Sequence, residues 1–256
     1  MKSPDMPRLP EVFLGRPLAH RALHDNSDAR PENSRAAISA AVEAGYGIEI
    51  DVQLSADGQA MVFHDYRLCR LTESGGPLAL LTAAELGTIP LRHGAEGIPT
   101  LPEILALVAG RVPLLIEVKD QDGALGPGVG PLEQATIAAL AGYAGPVAVM
   151  SFNPHSVAEL ARLAPDLPRG LTTCGFRRED WSALSSERRD HLRAIADFDR
   201  TGASFVSHNW RDLDNPRIAE LRTRGVPVLC WTIRSDTDEA QARRIAQNIT
   251  FEGYPA

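Results

Sequence analysis

Two pairs of residues stand two apart in apolar runs, Glu49 and Asp51 in "GIEIDVQL" (47–54) and Glu117 and Lys119 in "LLIEVK" (114–119), while His20-Arg21 and His64 each end another short run. Successive side chains of a strand point to opposite faces, so Glu49 and Asp51 share one face and Ile48, Ile50 and Val52 the other. Two ionised carboxylates side by side repel each other and lose hydration, which is costly unless a cation or basic side chains compensate. With Glu117 as a third acid, the set suits a hard divalent cation, Mg²⁺ or Ca²⁺, with Mn²⁺ also compatible. His20 and His64 can serve as a general acid and a general base. Arg21 offers a rigid fork of donors for phosphate or carboxylate, and Lys119 adds a second cation. Together these types suit attack on a phosphodiester, with positive charge at phosphorus and one histidine on each side of the proton traffic.

Positioning such residues requires strands that deliver their ends to one place. Short β-rich runs alternate with helical patterns along the chain, the sign of βα units around a parallel sheet. Eight runs read as strands: 12–20, 47–54, 60–65, 112–119, 146–152, 169–174, 204–210 and 226–233. Eight fit a closed (β/α)₈ TIM barrel, whose chemistry sits at the C-terminal ends of its strands. Asn33 or Ser34 caps the helix beginning "RAAISAAVEA", with Gly45 past its end, and two further helices open on Asn-Pro, at 153–154 and 215–216. The stretch after the third run, about 66–97, reads as a small insertion near the barrel mouth, and "QDGALGPGVGP" (121–131) as a βα loop following the fourth run.

A chain of 256 residues with 44% hydrophobic content is long enough to fold as one barrel domain over 1–256. A net charge of −7 without a Lys/Arg run leaves no footprint for nucleic acid or an anionic membrane surface. The opening residues carry no apolar segment of signal-peptide length, and no run approaches a membrane span, so a cytoplasmic protein without a stable membrane anchor is expected. Cys69, Cys174 and Cys230 match neither a disulfide framework nor a zinc spacing and read as reduced thiols.

The segments "AHR" (19–21), "PENS" (31–34), "GIEIDVQLSADGQAMVFHD" (47–65), "LT" (71–72), "IPTLPEIL" (98–105), "LLIEVK" (114–119), "VMSF" (149–152) and "VLCWTI" (228–233) resemble, in order, those of the glycerophosphodiester phosphodiesterases of the TIM-barrel phosphodiesterase superfamily. The resemblance implies hydrolysis of a small-molecule glycerophosphodiester to glycerol 3-phosphate and an alcohol. It implies His20 and His64 as the acid/base pair, Glu49, Asp51 and Glu117 as metal ligands, and Arg21 and Lys119 near the phosphate. Two departures stand out: Ala22 follows His-Arg where the family usually has glycine, and the chain closes on "NITFEGYPA" in place of the family's frequent Thr-Asp-x-Pro, so no terminal residue is carried over as functional.

The remaining candidates read as follows. Trp231, near the end of the eighth run, either packs against the glycerol or alcohol moiety or fills the core. His24 and Asp25 lie close enough to His20 to line a site. His93, His155 and His191 read as surface groups, His208 as substrate contact or packing, and Asp65 as a loop anchor. "NIT" (248–250) matches a glycosylation sequon without a secretory context. Two other functions compete: lysophospholipase D-like cleavage of a lysophospholipid, with "PLALLTAAEL" lining an apolar groove, and a non-catalytic barrel that binds a phosphorylated metabolite.

Overall fold

The computed structural model describes residues 7–256. Among the described residues nine strands form one sheet: β1 (Leu18–Ala19), β2 (Gly47–Leu54), β3 (Ala60–Val62), β4 (Leu114–Val118), β5 (Val147–Ser151), β6 (Arg169–Thr173), β7 (Phe205–Asn209), β8 (Val228–Ile233) and β9 (Asn248–Phe251). Eight of them are parallel and close on themselves, because β1 pairs with both β2 and β9 while the others follow in the order β2, β4, β5, β6, β7, β8, β9. The fold is a (β/α)₈ TIM barrel, with helices between the strands.

Membership of the barrel differs from the sequence expectation at three points. The run at 12–20 is mostly not strand: Val12–Gly15 is a short helix, and only Leu18–Ala19 pairs. The run at 60–65 is not a barrel strand, since β3 runs antiparallel to β2 and forms a hairpin arm outside the ring. The chain reverses through the five residues "SADGQ" (55–59), where Gly58 takes φ 77° and the Ser55 N–H donates to the Gln59 carbonyl, whereas a parallel return would need a crossover of a dozen residues. The place left open is filled by β9, "NITF", whose first three residues the sequence offers only as a sequon.

Alternation along the strands divides the molecule. Ile48, Ile50 and Val52 are fully buried with residues of the helices Arg35–Ala44 and Leu101–Val108 in the layer outside the barrel. Inside, the N-terminal end is plugged by Leu18, Leu115, Ala148, Phe205 and Leu229, closed from below by Phe13 of the short leading helix. Gly170 makes room for the plug, since a Cβ there would lie 2.4 Å from the Phe205 ring. Above it the interior turns polar. The insertion has its own small core, Met61, Phe63, Leu68, Leu78, Leu86, Leu91 and Ile98, beneath the hairpin arm. In "PLALLTAAEL" Leu78 and Leu86 are buried in that core and Leu80 is exposed, so the segment chiefly packs the insertion.

Removing the central plug residue leaves a large cavity with little freedom to collapse. Phe205→Ala is expected to lose about 3–5 kcal/mol of unfolding free energy, read by urea denaturation; a loss below about 1 kcal/mol would mean that the barrel floor does not rest on this ring.

Candidate active site

The parallel pairing of β2 with β4 sets Asp51 directly beside Glu117, with Glu49 one interior step below Asp51. All three are buried, and one carboxylate oxygen from each lies within 4.8 Å of the others. Lys119, just past β4, donates from Nζ to Glu117 at 2.6 Å and lies 3.3 Å from Asp51. Asp51 also accepts from Asn33 Nδ2 at 3.0 Å, and its own N–H donates to Asn33 Oδ1. Arg21 approaches Asp51 through Nε at 3.6 Å, while its backbone N–H donates to Glu49 at 3.0 Å.

Compensation is therefore uneven. Burial alone would raise the Asp51 pKa, yet Lys119, His64 and Arg21 hold it well below the usual carboxylate range. Glu49 goes the other way: burial, then the charges of Asp51 and Glu117, push it well above its ordinary value, and one backbone N–H with nearby Arg21 does not offset them. Lys119 is raised although burial would lower it, because Glu117 and Asp51 favour its charged form. Three buried oxygen ligands with one carboxylate short of counter-charge are the donor set and the charge deficit that a hard divalent cation satisfies.

His20 and His64 flank this cluster and line the same cavity of about 290 Å³ as Arg21, the three acids and Trp231. Each is held by a carboxylate at Nδ1: His20 by Glu252 at 2.5 Å, His64 by Asp65 at 2.7 Å. A carboxylate only accepts, so Nδ1 carries the hydrogen in both rings and Nε2 is left for chemistry. Burial lowers the His20 pKa, with Arg21 adding to the effect and the bond to Glu252 opposing it. Asp65 is held low, against its burial, by His64 and Arg70.

Chain segments far apart in sequence converge here. Arg21 donates to Glu32 at 2.7 Å; Arg70 donates to Glu32 through two nitrogens at 2.8 Å each, and to Asp65 at 2.6 Å. Asp65 thus anchors the loop, as expected, and also orients His64. Ser34 caps the following helix, which frees Asn33 to turn inward at φ 59° and meet Asp51. Ala22 adopts φ 67°, the left-handed region that glycine enters freely and alanine enters at a cost of about 1–2 kcal/mol.

Other expectations resolve individually. Trp231 lines the cavity and donates from its indole to the Ser207 carbonyl at 3.0 Å, with Phe152 packed edge-on against it. His208 is fully buried, between Thr173 and the backbone carbonyl of Asp212, and belongs to the packing. His24 comes within 3.6 Å of Glu252, at the edge of the site. His93 and His191 are exposed and His155 is half-buried on its helix. The terminal segment requires a correction: Glu252, set aside in the sequence reading, is the partner of His20. The signal was alternation along β9, which turns Asn248, Thr250 and Glu252 to one side, but it is visible only once "NITF" is taken as a strand. Asn33 reads in the sequence only as a cap candidate, and Glu32 and Arg70 carry no signal that separates them from other loop charges.

A TIM barrel with an acidic cluster at the C-terminal ends of two strands, flanked by two carboxylate-held histidines, has the layout of a barrel enzyme. The Glycerophosphoryl diester phosphodiesterase family model matches residues 20–249. A glycerophosphodiester phosphodiesterase of Caldanaerobacter subterraneus subsp. tengcongensis is 34% identical over 91% of this chain and 90% of its own. Among solved structures, an Oleispira antarctica phosphodiesterase in complex with the product sn-glycerol-3-phosphate is similar with a TM-score of 0.77 at 24% identity, covering 95% of this chain and 94% of that one. A glycerophosphodiester phosphodiesterase from Parabacteroides distasonis is similar with a TM-score of 0.72 at 21% identity, over 93% of this chain and 94% of that one. The chain belongs to the glycerophosphoryl diester phosphodiesterase family and is a phosphoric diester hydrolase. Among the described residues no helix is long and apolar enough to cross a membrane.

The Glu252 contacts fix a pH dependence. Burial would raise its pKa, but bonds from His20 and His24 hold it well below the ordinary 4.5. A depressed acid contributes stability above its unfolded value, and that contribution is lost as pH falls through about 4.5 toward the folded value. His20, depressed from 6.5, adds a loss in the same direction, because below that value the unfolded chain binds the proton first. In chemical denaturation between about pH 7 and about pH 3, the stability gap between the wild type and Glu252→Gln is expected to narrow as pH falls below about 4.5. A gap independent of pH would contradict the pairing.

Proposed function

We propose that residues 1–256 act as one barrel domain that hydrolyses glycerophosphodiesters to glycerol 3-phosphate and an alcohol, in a metal-dependent reaction in the cytoplasm. The observation that carries the reading is the meeting, in one cavity of a chain of this family, of Glu49, Asp51 and Glu117 with His20 and His64. In this reading Glu49, Asp51 and Glu117 hold a divalent cation, Mg²⁺ or Ca²⁺ with Mn²⁺ an acceptable substitute. When bound, such an ion supplies charge stabilisation to the phosphoryl oxygens. Arg21 and Lys119 orient the diester and balance its charge, already fixed in place by Asp51, Glu32 and Glu117. His20, whose protonated form is disfavoured by burial and Arg21, suits the base that takes a proton from the attacking oxygen, a water or the substrate's vicinal hydroxyl. His64, held by Asp65, then protonates the departing alkoxide. Trp231 offers an aromatic wall to the glycerol or alcohol moiety. Three free cysteines, two of them buried, accord with a reducing compartment.

The test is release of glycerol 3-phosphate from a panel of glycerophosphodiesters with Mg²⁺, Ca²⁺, Mn²⁺ or chelator. Chelation and Glu49→Ala are expected to abolish turnover, and His20→Ala or His64→Ala to lower kcat by about 10²–10⁴-fold. Long-acyl lysophosphatidylcholine in the same panel is expected to turn over poorly. A folded wild type idle on every small diester but active on the lysophospholipid would replace this substrate, and one idle on both would point to binding alone.

A further inference from the structure

The cavity has two unlike walls. One carries the carboxylates of β2 and β4; the other is built from the ends of β6, β7 and β8 and presents donors without an acid of its own. Three arginines line the cavity: Arg21 is engaged by Asp51 and Glu32, and Arg234 by Glu252 at 2.6 Å, but Arg211 is engaged by no carboxylate among the described residues. Its guanidinium lies over the Trp210 ring, 4.8 Å from the centroid. That contact uses the planar face of the group and leaves its in-plane N–H donors, the edge that grips carboxylate or phosphate in a fork.

Two neighbours point the same way. Asn209 spends its side-chain oxygen on the Arg211 backbone N–H at 3.0 Å, so what it has left for the cavity is its amide donor. Thr172 also lines the cavity; it is 2% exposed, and its hydroxyl makes no hydrogen bond among the described residues. A buried hydroxyl of this kind costs stability until a ligand or water meets it, and the cavity is where that partner would come from. A quaternary ammonium group would find the aromatic face of Trp231 here, but beside an uncompensated guanidinium, which repels it.

We infer that Arg211, Asn209 and Thr172 form a subsite for an anionic group, and that the preferred substrates are glycerophosphodiesters whose released alcohol carries a carboxylate or a second phosphate. The inference rests on the proposed diesterase reaction and adds its substrate class. Arg211 acts as a specificity-determining residue.

The test uses four diesters with Mg²⁺: glycerophosphoglycerol, the same compound ending in a phosphate monoester, the same compound ending in a carboxylate (glycerophosphoglycerate), and glycerophosphocholine. The anionic members are expected to exceed glycerophosphoglycerol in kcat/KM by about tenfold to a hundredfold, the weight of one charge-assisted contact. Arg211→Met should bring that ratio close to one, and Arg211→Lys should keep part of it. Whichever anionic member gains more identifies the source of the group. Calorimetric binding of the same compounds to His20→Ala, with and without Arg211→Met, reads the subsite without turnover. If no diester is hydrolysed but the anionic ones bind more tightly only when Arg211 is present, the reaction fails and the subsite stands. Equal kcat/KM and equal affinity across the panel, or a preference untouched by Arg211→Met, overturns the inference.

Discussion

The rest of the site depends on a single electrostatic liability, three carboxylates buried on adjacent strands of one barrel wall. Taking one unpaired ion out of water costs several kcal/mol even after relaxation, so such a wall exists only with compensation built around it. The compensation is specific to each acid. Asp51 receives a lysine, an asparagine amide and the flank of an arginine; Glu117 shares the lysine; Glu49 receives one backbone N–H. The least provided of the three is the one whose ionised form is disfavoured, and that is the deficit the proposed cation would meet. Breaking a satisfied pair is what a structural bridge resists, whereas Glu49 has no such partner to lose.

The same economy of charge organises the rim. Arg21 cannot satisfy Asp51 and remain placed without a second anchor, and Glu32 provides it; Glu32 is itself fixed by Arg70, and Arg70 by Asp65, which orients His64. Isolated exposed ion pairs contribute little, but a connected, half-buried network restrains the side chains it joins. Its consequence is positional. His64 sits beyond a hairpin arm outside the barrel ring, and it reaches the carboxylates because the insertion has a packed core of its own and because Arg70, from that insertion, is pinned to Glu32 in the loop between β1 and β2.

Legibility in the sequence followed the strength of each periodic signal. "GIEIDVQL" alternates cleanly over a full-length strand, so the inward placement of Glu49 and Asp51 could be read directly. The sequence pattern gives eight barrel strands, the right number, but it includes the hairpin arm β3 and omits the closing strand β9. β1 is two residues long, too short for any period, and β9 carries Asn and Thr where buried strands usually carry branched apolar residues. Its Asn248 is inward because its amide holds the carbonyls of Phe13 and Arg16, a tertiary reason that no local pattern encodes. Missing β9 concealed Glu252. Glu32 and Arg70 were hidden for a related reason, since each looks like an ordinary loop charge until the fold sets them face to face.

The division of the cavity into an acidic wall and a donor wall follows from the topology. Acids that converge on one point must be adjacent, and parallel register makes Asp51 and Glu117 neighbours, so the acidic wall is confined to β2 and β4. The strands across the barrel are free of that demand, and their inward positions, Thr172 on β6 opposite Ser207 on β7 in register, carry hydroxyls rather than charges. Only past the strand ends, at Arg211 and Arg234, does charge return, and Arg234 is drawn back by Glu252 to the histidine side. One wall thus holds residues that constrain one another, and the other holds residues that are mutually independent, which is where the proposed recognition of the alcohol can vary. A substitution at Arg211 can change what the cavity accepts without disturbing the charge balance that holds Glu49, Asp51 and Glu117 in place.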